Sequence, residues 1–198
     1  MLPGVVPVEL VLAQNDKAAV CISRLAAYST GFEFDLITMM APGQDDLDLD
    51  PMIFRRHHLA HRRRGQGEIP EELLRIGVQF SDGSKATNTG GHGYDQDPPP
   101  GPVIHEHGGG GGGGSWRQTY WIWPLPPAGP LSFVCEWPAA GIELSRAEID
   151  AQTILDAADR AQVLFPDQPA RGSHSSWSSY GGASFGGTMK PEPDANVE

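Results

Sequence analysis

Short segments in which apolar and polar residues alternate are the feature that most constrains the fold of this chain. An alternation of period two places the apolar side chains on one face of a β-strand. Turn signals such as Asp82-Gly83 separate the segments. Strand patterns of this kind occupy residues 6–12, 20–22, 32–36, 74–80, 85–87, 116–123 and 131–137. The sequence therefore predicts a mainly β protein, a single antiparallel β-sandwich of about seven strands.

One C-terminal amphipathic helix is predicted over residues 146–165. Ser145 and Glu148 have the spacing of a capping box, in which each side chain satisfies a free backbone amide at the start of a helix. Apolar residues then recur at helical spacing from Ala151 to Phe165, and Pro166 ends the pattern. We expect the helix to lie against one face or end of the sandwich.

Glycine and proline are concentrated in a few places. The 198 residues include 25 Gly and 18 Pro, well above the average usage of roughly 12% for the two together. They indicate a domain over residues 1–166 with flexible insertions at 41–72 and 89–115, followed by a disordered tail at 167–198. Seven consecutive glycines, 108–114, precede a strand pattern and lack the lysine of a phosphate-binding loop. We therefore expect them to form a mobile loop between two strands.

The charge and the cysteines limit the class of partner. A net charge of −11 argues against a general nucleic-acid binder, which needs a basic surface. No apolar run approaches the roughly 18 residues of a membrane-spanning helix, and the first residues lack the pattern of a signal peptide. These patterns predict a cytoplasmic protein without a cofactor, whose Cys21 and Cys135 are reduced, buried thiols, with Cys135 on the inward face of its strand.

A basic block at residues 55–64 follows an acidic stretch. Its candidate contact residues are Arg55, Arg56, Arg62, Arg63 and Arg64. They predict either a surface that contacts an anion or RNA, or a linker whose opposite charges neutralise each other. The linker is the favoured interpretation.

Two histidine clusters allow a metal-site hypothesis. His57 and His61 would share a face of a helix, and His105 and His107 would share a face of a strand. Four imidazoles are a feasible ligand set for a zinc-dependent hydrolase. Because arginines surround the first pair and the second adjoins the glycine run, solvated loops are the favoured interpretation.

The tryptophans form the most distinctive cluster, with four of the five between residues 116 and 137. On a strand, Trp121 and Trp123 point to one face, and Tyr120 points to the other. Both faces are then covered by the core, which is the favoured interpretation, or one face is open to a partner segment or a sugar.

Residues 120–127 and 129–138, together with 31–34 and 77–83, resemble those of uncharacterised proteins from high-GC Gram-positive bacteria. This resemblance implies no activity. The order of the strands also resembles an immunoglobulin-like sandwich. That second resemblance implies that Cys21 and Cys135 correspond to the cysteine pair between its sheets.

No catalytic constellation stands out, and the Gly-x-Ser-x-Gly nucleophile motif is absent. The sequence therefore favours a non-catalytic binding or accessory module that recognises another protein. Its candidate contacts are Trp121, Trp123 and the arginines of the basic block. A metal-assisted hydrolase and an anion or RNA contact are the alternatives.

Overall fold

A computed structural model describes residues 1–43, 69–90 and 101–166. Contacts divide the chain into the unit Pro166–Glu198 and the unit Met1–Phe165. The described part of this unit is mainly β, with two antiparallel sheets and one α-helix. The predicted fold class is confirmed.

Ten strands, one α-helix and one short 3-10 helix, Pro138–Ala140, make up the two sheets and their surroundings in the described ranges. In chain order they are β1 (Gly4–Val6), β2 (Leu10–Gln14), β3 (Ala18–Ala27), β4 (Phe32–Met40), β5 (Arg75–Gln79), β6 (Lys85–Thr87), β7 (Val103–Gly112), β8 (Ser115–Trp123), β9 (Pro130–Trp137), β10 (Ile142–Asp150) and α1 (Gln152–Asp159). The larger sheet has the order β1-β3-β4-β8-β7, with β2 also paired to β3. The smaller sheet has the order β10-β9-β5-β6.

The core lies between the sheets and takes the alternate apolar residues of both. Phe34 of the larger sheet meets Phe133 of the smaller sheet edge to face, with ring centroids 5.2 Å apart. Both side chains are completely buried. Each fully buried side chain of this kind stabilises the fold by about 1.5–3 kcal/mol. The alternation that predicted these strands therefore also determines which of their side chains point into the core.

The described part holds three strands more than the predicted seven, for three separate reasons. The first predicted strand is two strands, β1 and β2, with Pro7 between them. β7 runs through the glycine segment, and β10 occupies the start of the predicted helix.

The predicted helix at 146–165 is wrong at both ends, because the observed helix spans only Gln152–Asp159. Residues 142–150 form β10, which pairs with β9 from Pro130 to Trp137. Ala147 and Ile149 pack on the core, and the intervening Arg146 and Glu148 are exposed. Because this stretch alternates and a partner strand is available, pairing outweighs the local capping signal.

The helix begins after Asp150 instead. The N-cap residue is Ala151, and the Asp150 Oδ1 atom, one residue earlier, accepts a hydrogen bond of 2.9 Å from the Gln152 amide. Ser145 therefore takes no part in the start of the helix. Of the predicted apolar stripe, Ile154 and Ala158 are buried, whereas Phe165 is exposed. The helix packs on β1, β3 and β10.

The prediction of a mobile loop for the glycine run is also wrong. Its first five residues lie in β7, where Gly112 is opposite Ser115 of β8. Gly113 and Gly114 connect the strands with φ angles of 61° and 79°, the positive values that a tight hairpin turn requires. Backbone hydrogen bonding and this turn therefore order the segment. The other stretches predicted to be flexible or disordered, 44–68, 91–100 and 167–198, lie outside the described residues.

Candidate binding surface

The face of the larger sheet that points away from the core is the candidate binding surface, and we call it the outer face. The bulge between Ile22 and Arg24 and a second bulge in β7 decide which residues point outward. Residues that belong to it are Val5, Val11, Ala19, Cys21, Arg24, Glu33, Asp35, Ile37, Met39, His105, Gly110, Arg117, Thr119 and Trp121.

Trp121 is the largest side chain on the outer face, and two neighbours fix its ring. Tyr28 contacts it edge to face, with ring centroids 5.3 Å apart and an angle of 64° between the planes. Gly31 lies beneath it, since a Cβ atom there would stand 2.7 Å from Trp121 Cζ2. Trp121 is half-buried, so part of a rigid indole ring is available to a partner.

The predicted division of β8 into two faces is confirmed. Tyr120 points into the core and is almost completely buried. Trp121 and Trp123 are both half-buried on the opposite side. The proline after Trp123 follows a cis peptide bond. The use of these tryptophans by a partner remains a prediction.

A paired charge network lies beside the tryptophan. Arg24 contacts Glu33 at 2.6 Å and Asp35 at 3.9 Å. Thr119 donates a hydrogen bond of 2.7 Å to Asp35, and the Tyr28 hydroxyl donates one of 3.1 Å to Glu33. Burial tends to lower the pKa of Arg24, but the hydrogen bond and the charge of Glu33, with the charge of Asp35, raise it overall.

The two carboxylates of this network are 8% and 6% exposed although they point away from the core. Arg24 offsets one of the two negative charges, and both carboxylates accept hydrogen bonds from neighbouring side chains. The network therefore holds the surface in one conformation and offers little free negative charge to a ligand.

In the half of the outer face toward the β7–β8 turn, the residues of β2, β3 and β4 are apolar. Val11, Cys21 and Ile37 are consecutive in one row across β2, β3 and β4. Met39 follows Ile37 on the same side of β4. Val11 is 62% exposed and Met39 42% exposed.

The row ends in a trough without side chains. Ile37 is opposite Arg117, and Arg117 is opposite Gly110 of β7. A Cβ atom at Gly110 would have no heavy atom within 4 Å, whereas at the inward-facing Gly111 it would stand 2.1 Å from the Ser115 carbonyl oxygen. The outer face thus rises at Val11 and falls at Gly110.

The metal hypothesis is tested only in part. His105 lies on the outer face opposite Trp121, and His107 lies in the β7 bulge. Their ring centroids are 6.5 Å apart, and burial followed by the charge of His107 lowers the pKa of His105. His57 and His61 lie outside the described residues. Within the described ranges, no group of three or more His, Cys, Asp or Glu residues has the geometry to hold a metal ion.

The arginines of the basic block, Arg55, Arg56, Arg62, Arg63 and Arg64, also lie outside the described residues. Both the anion or RNA contact and the self-neutralising linker stay predictions. The network formed by Arg24, Glu33 and Asp35 was not predicted. Arg24 lies on β3 and the two carboxylates lie on β4, and the register between these strands brings them together.

The cysteine pair implied by the immunoglobulin resemblance is wrong. Cys21 and Cys135 are both free thiols. Cys21 is half-buried on the outer face, while Cys135 is buried in the core, where burial raises its pKa to about 11. The bulge after Ile22 does not alter this, since Cys21 lies before it and points away from the other sheet. The prediction that Cys135 belongs to the core is confirmed.

A second cluster, inside the sandwich, was also missed by sequence reasoning. Tyr120 is hydrogen-bonded to Glu106 of β7 and to Asn88, which follows β6. Asn88 accepts a hydrogen bond from the Ile76 amide and donates one to the Leu74 carbonyl, both of 2.9 Å. This cluster links the two sheets. Its members are separated in sequence by loops, so no local sequence motif identifies it.

Comparison with known proteins adds no relative from which a role could be transferred. No family model, curated protein sequence or solved structure matched the chain. Among the described residues there is no helix with the length and apolar character to cross a membrane.

Proposed function

We propose that this protein is a non-catalytic binding module that recognises a protein partner through the outer face of its larger sheet. The observation that carries the proposal is the rigid, half-buried Trp121 ring beside a self-paired charge network. Tryptophan is one of the residues that most often anchor a protein interface, and a fixed ring loses little entropy on binding.

The apolar residues of the same face support this proposal. Val5, Val11 and Met39 expose 68%, 62% and 42% of their surface. Val11 and Met39 adjoin each other through Cys21 and Ile37, whereas Val5 lies at the level of Trp121 beyond Arg24. Exposed apolar side chains beside rigid polar groups are typical of a protein interaction site. A non-catalytic role is supported because Glu33 and Asp35 are already bonded to Arg24 and to hydroxyl groups.

We further place the module in the cytoplasm. Two unpaired cysteines, one of them half-buried at the surface, suit a reducing compartment. The resemblance to uncharacterised proteins of high-GC Gram-positive bacteria and to immunoglobulin-like sandwiches assigns no partner, so the outer face is the basis of the proposal.

The test is a binding experiment with matched surface variants. The tagged full chain is cross-linked in lysate of its own cell, and bound proteins, including untagged copies of itself, are quantified by mass spectrometry. Trp121→Ala and Met39→Lys should each release the specific partner. Leu144→Lys is the control, because Leu144 is an equally apolar residue, 73% exposed, on β10 of the smaller sheet. Equal capture by all four proteins would overturn the proposal.

A further inference from the structure

We infer that the partner of the outer face is a second copy of this chain, bound face to face about a twofold axis that runs along β4. This inference depends on the proposed function and names the partner of the same surface. It starts from the shapes of the two margins of the outer face.

The two margins are complementary to each other. One row of residues crosses the sheet from β2 to β7 in the order Val11, Cys21, Ile37, Arg117 and Gly110. Val11 projects at one end, being 62% exposed. Gly110 has no side chain at the other end, and the space above it is open.

A twofold axis along the middle strand brings these ends together. β4 lies between β3 on one side and β8 on the other, and β2 and β7 are the outer members of this row. Rotation about β4 therefore places β2 of each copy over β7 of the other. Val11 then fills the trough at Gly110 of the partner subunit, and Ile37 meets Ile37 of the partner subunit at the axis.

The size of the surface suits a dimer. Five strand positions spaced about 4.8 Å apart and a strand length of about 30 Å give the face roughly 700 Å². A stable protein interface buries about 800 Å² on each partner. The outer face of one copy therefore approaches the size that a specific complex requires.

The charges on the face allow it to be covered. Glu33 and Asp35 are already nearly buried and paired with Arg24, so a second copy adds little to their desolvation. Arg117 lies next to the margin strand, where its guanidinium can reach water while its aliphatic part packs against the partner. Neither margin requires an unpaired buried charge.

The oligomeric state of the full chain tests the inference. Multi-angle light scattering and sedimentation velocity should show that the wild type dimerises as its concentration rises. Gly110→Val places a side chain in open space within one copy, so the monomer should keep its fold. It should leave the circular dichroism spectrum unchanged, and also the melting temperature at dilutions where both proteins are monomeric, and it should abolish the dimer. Val11→Lys should also abolish it, and Leu144→Lys should dimerise like the wild type.

The complementarity itself is tested by exchanging the two side-chain volumes. Val11→Ala combined with Gly110→Val moves the projection from β2 to β7 and should restore part of the dimerisation that Gly110→Val removes. Cys21 provides an independent measurement, because it lies in the same row. Its alkylation should slow as the protein concentration rises, while the buried Cys135 stays unreactive throughout.

The outcomes separate this inference from the proposed function. A wild-type chain that is monomeric at every accessible concentration overturns the second-copy inference. If that monomer still captures a different protein that Trp121→Ala releases, the proposed function stands. If it captures none, both fall. A dimer that Gly110→Val and Val11→Lys leave intact would also overturn the inference.

Discussion

Glu106 and Tyr120 lie opposite each other in the β7–β8 ladder and are hydrogen-bonded inside the sandwich. Burial raises the pKa of Glu106 above its ordinary value of 4.5, and the bond from Tyr120 offsets part of that rise. Because the folded chain holds this proton more tightly than the unfolded chain, the associated stability is fully present below pH 4.5. It is lost as the pH rises through the pKa of the folded state.

Glu106→Gln should therefore remove part of the pH dependence of stability. The free energy of unfolding of the wild type relative to this variant should fall as the pH rises above about 4.5. The fall is about 1.4 kcal/mol for each pKa unit that separates the folded and unfolded states. Urea unfolding over a pH series measures it. Glu143→Gln, an exposed carboxyl on β10, is the control, and identical profiles for the two variants would refute the prediction.

Alanine should destabilise the chain much more on the inward face of the glycine strand than on its outward face. At Gly111 a Cβ atom would stand 2.1 Å from a backbone oxygen, so Gly111→Ala must distort the hairpin. We expect it to destabilise the chain by about 2 kcal/mol or more. Gly110→Ala meets open space and should change stability by less than about 1 kcal/mol. Thermal unfolding at low protein concentration compares them, and equal effects would contradict the orientation described for β7.

The start of helix α1 can be located by removing each candidate cap. Asp150 accepts a hydrogen bond from the Gln152 amide, so Asp150→Ala should cost about 1 kcal/mol of stability. Ser145 lies on β10, where its hydroxyl donates to the Glu143 carbonyl. Ser145→Ala should change stability by less than about 0.5 kcal/mol. Chemical unfolding of both variants measures the two effects. A larger loss of stability for Ser145→Ala would contradict this assignment and favour the longer helix predicted from the sequence.

Asn88 is expected to be the most sensitive polar residue of the interior. Its side chain satisfies the Ile76 amide and the Leu74 carbonyl, and it is 4% exposed. Asn88→Ala leaves both backbone groups buried without these partners and should cost about 2–4 kcal/mol. Thr89→Ala, one residue later and exposed, is the matched control. Similar unfolding midpoints for the two variants would show that the link between the sheets is dispensable.

Sequence reasoning succeeded where a local pattern coincides with burial. In β9 the alternation of apolar residues predicted that Cys135 points inward, and in β8 it placed Tyr120 and Trp121 on opposite faces. Cys135 and Tyr120 are buried. It failed at Ser145 and Glu148, because their capping-box spacing is compatible with an exposed strand and only the presence of β9 decides between the two. Polyglycine carries no periodic signal, so β7 could not be identified from its residues.

The outer face likewise has one feature that the sequence predicted and one that it did not. The orientation of Trp121 followed from its position relative to Tyr120. The ion pairs between Arg24 and two residues of β4 depend on the bulge between Ile22 and Arg24, which shifts the outward positions of β3 by one. Nothing in the local sequence marks that bulge. Contacts between side chains on neighbouring strands are therefore the part of the site that could be identified only from the structure.

The bulge in β7 has a consequence for changes in the length of the glycine run. Glu106 is opposite Tyr120 and Gly112 is opposite Ser115. Between these two pairs β7 has five residues and β8 has four, so β7 contains one extra residue. A run shortened by one glycine would pair with β8 without a bulge and keep its two-residue turn. Single-residue contractions of this repeat should therefore leave the register of β8, and the orientation of Trp121, unchanged. Homopolymeric repeats vary in length more readily than ordinary sequence, and this hairpin contains a built-in tolerance for one such event.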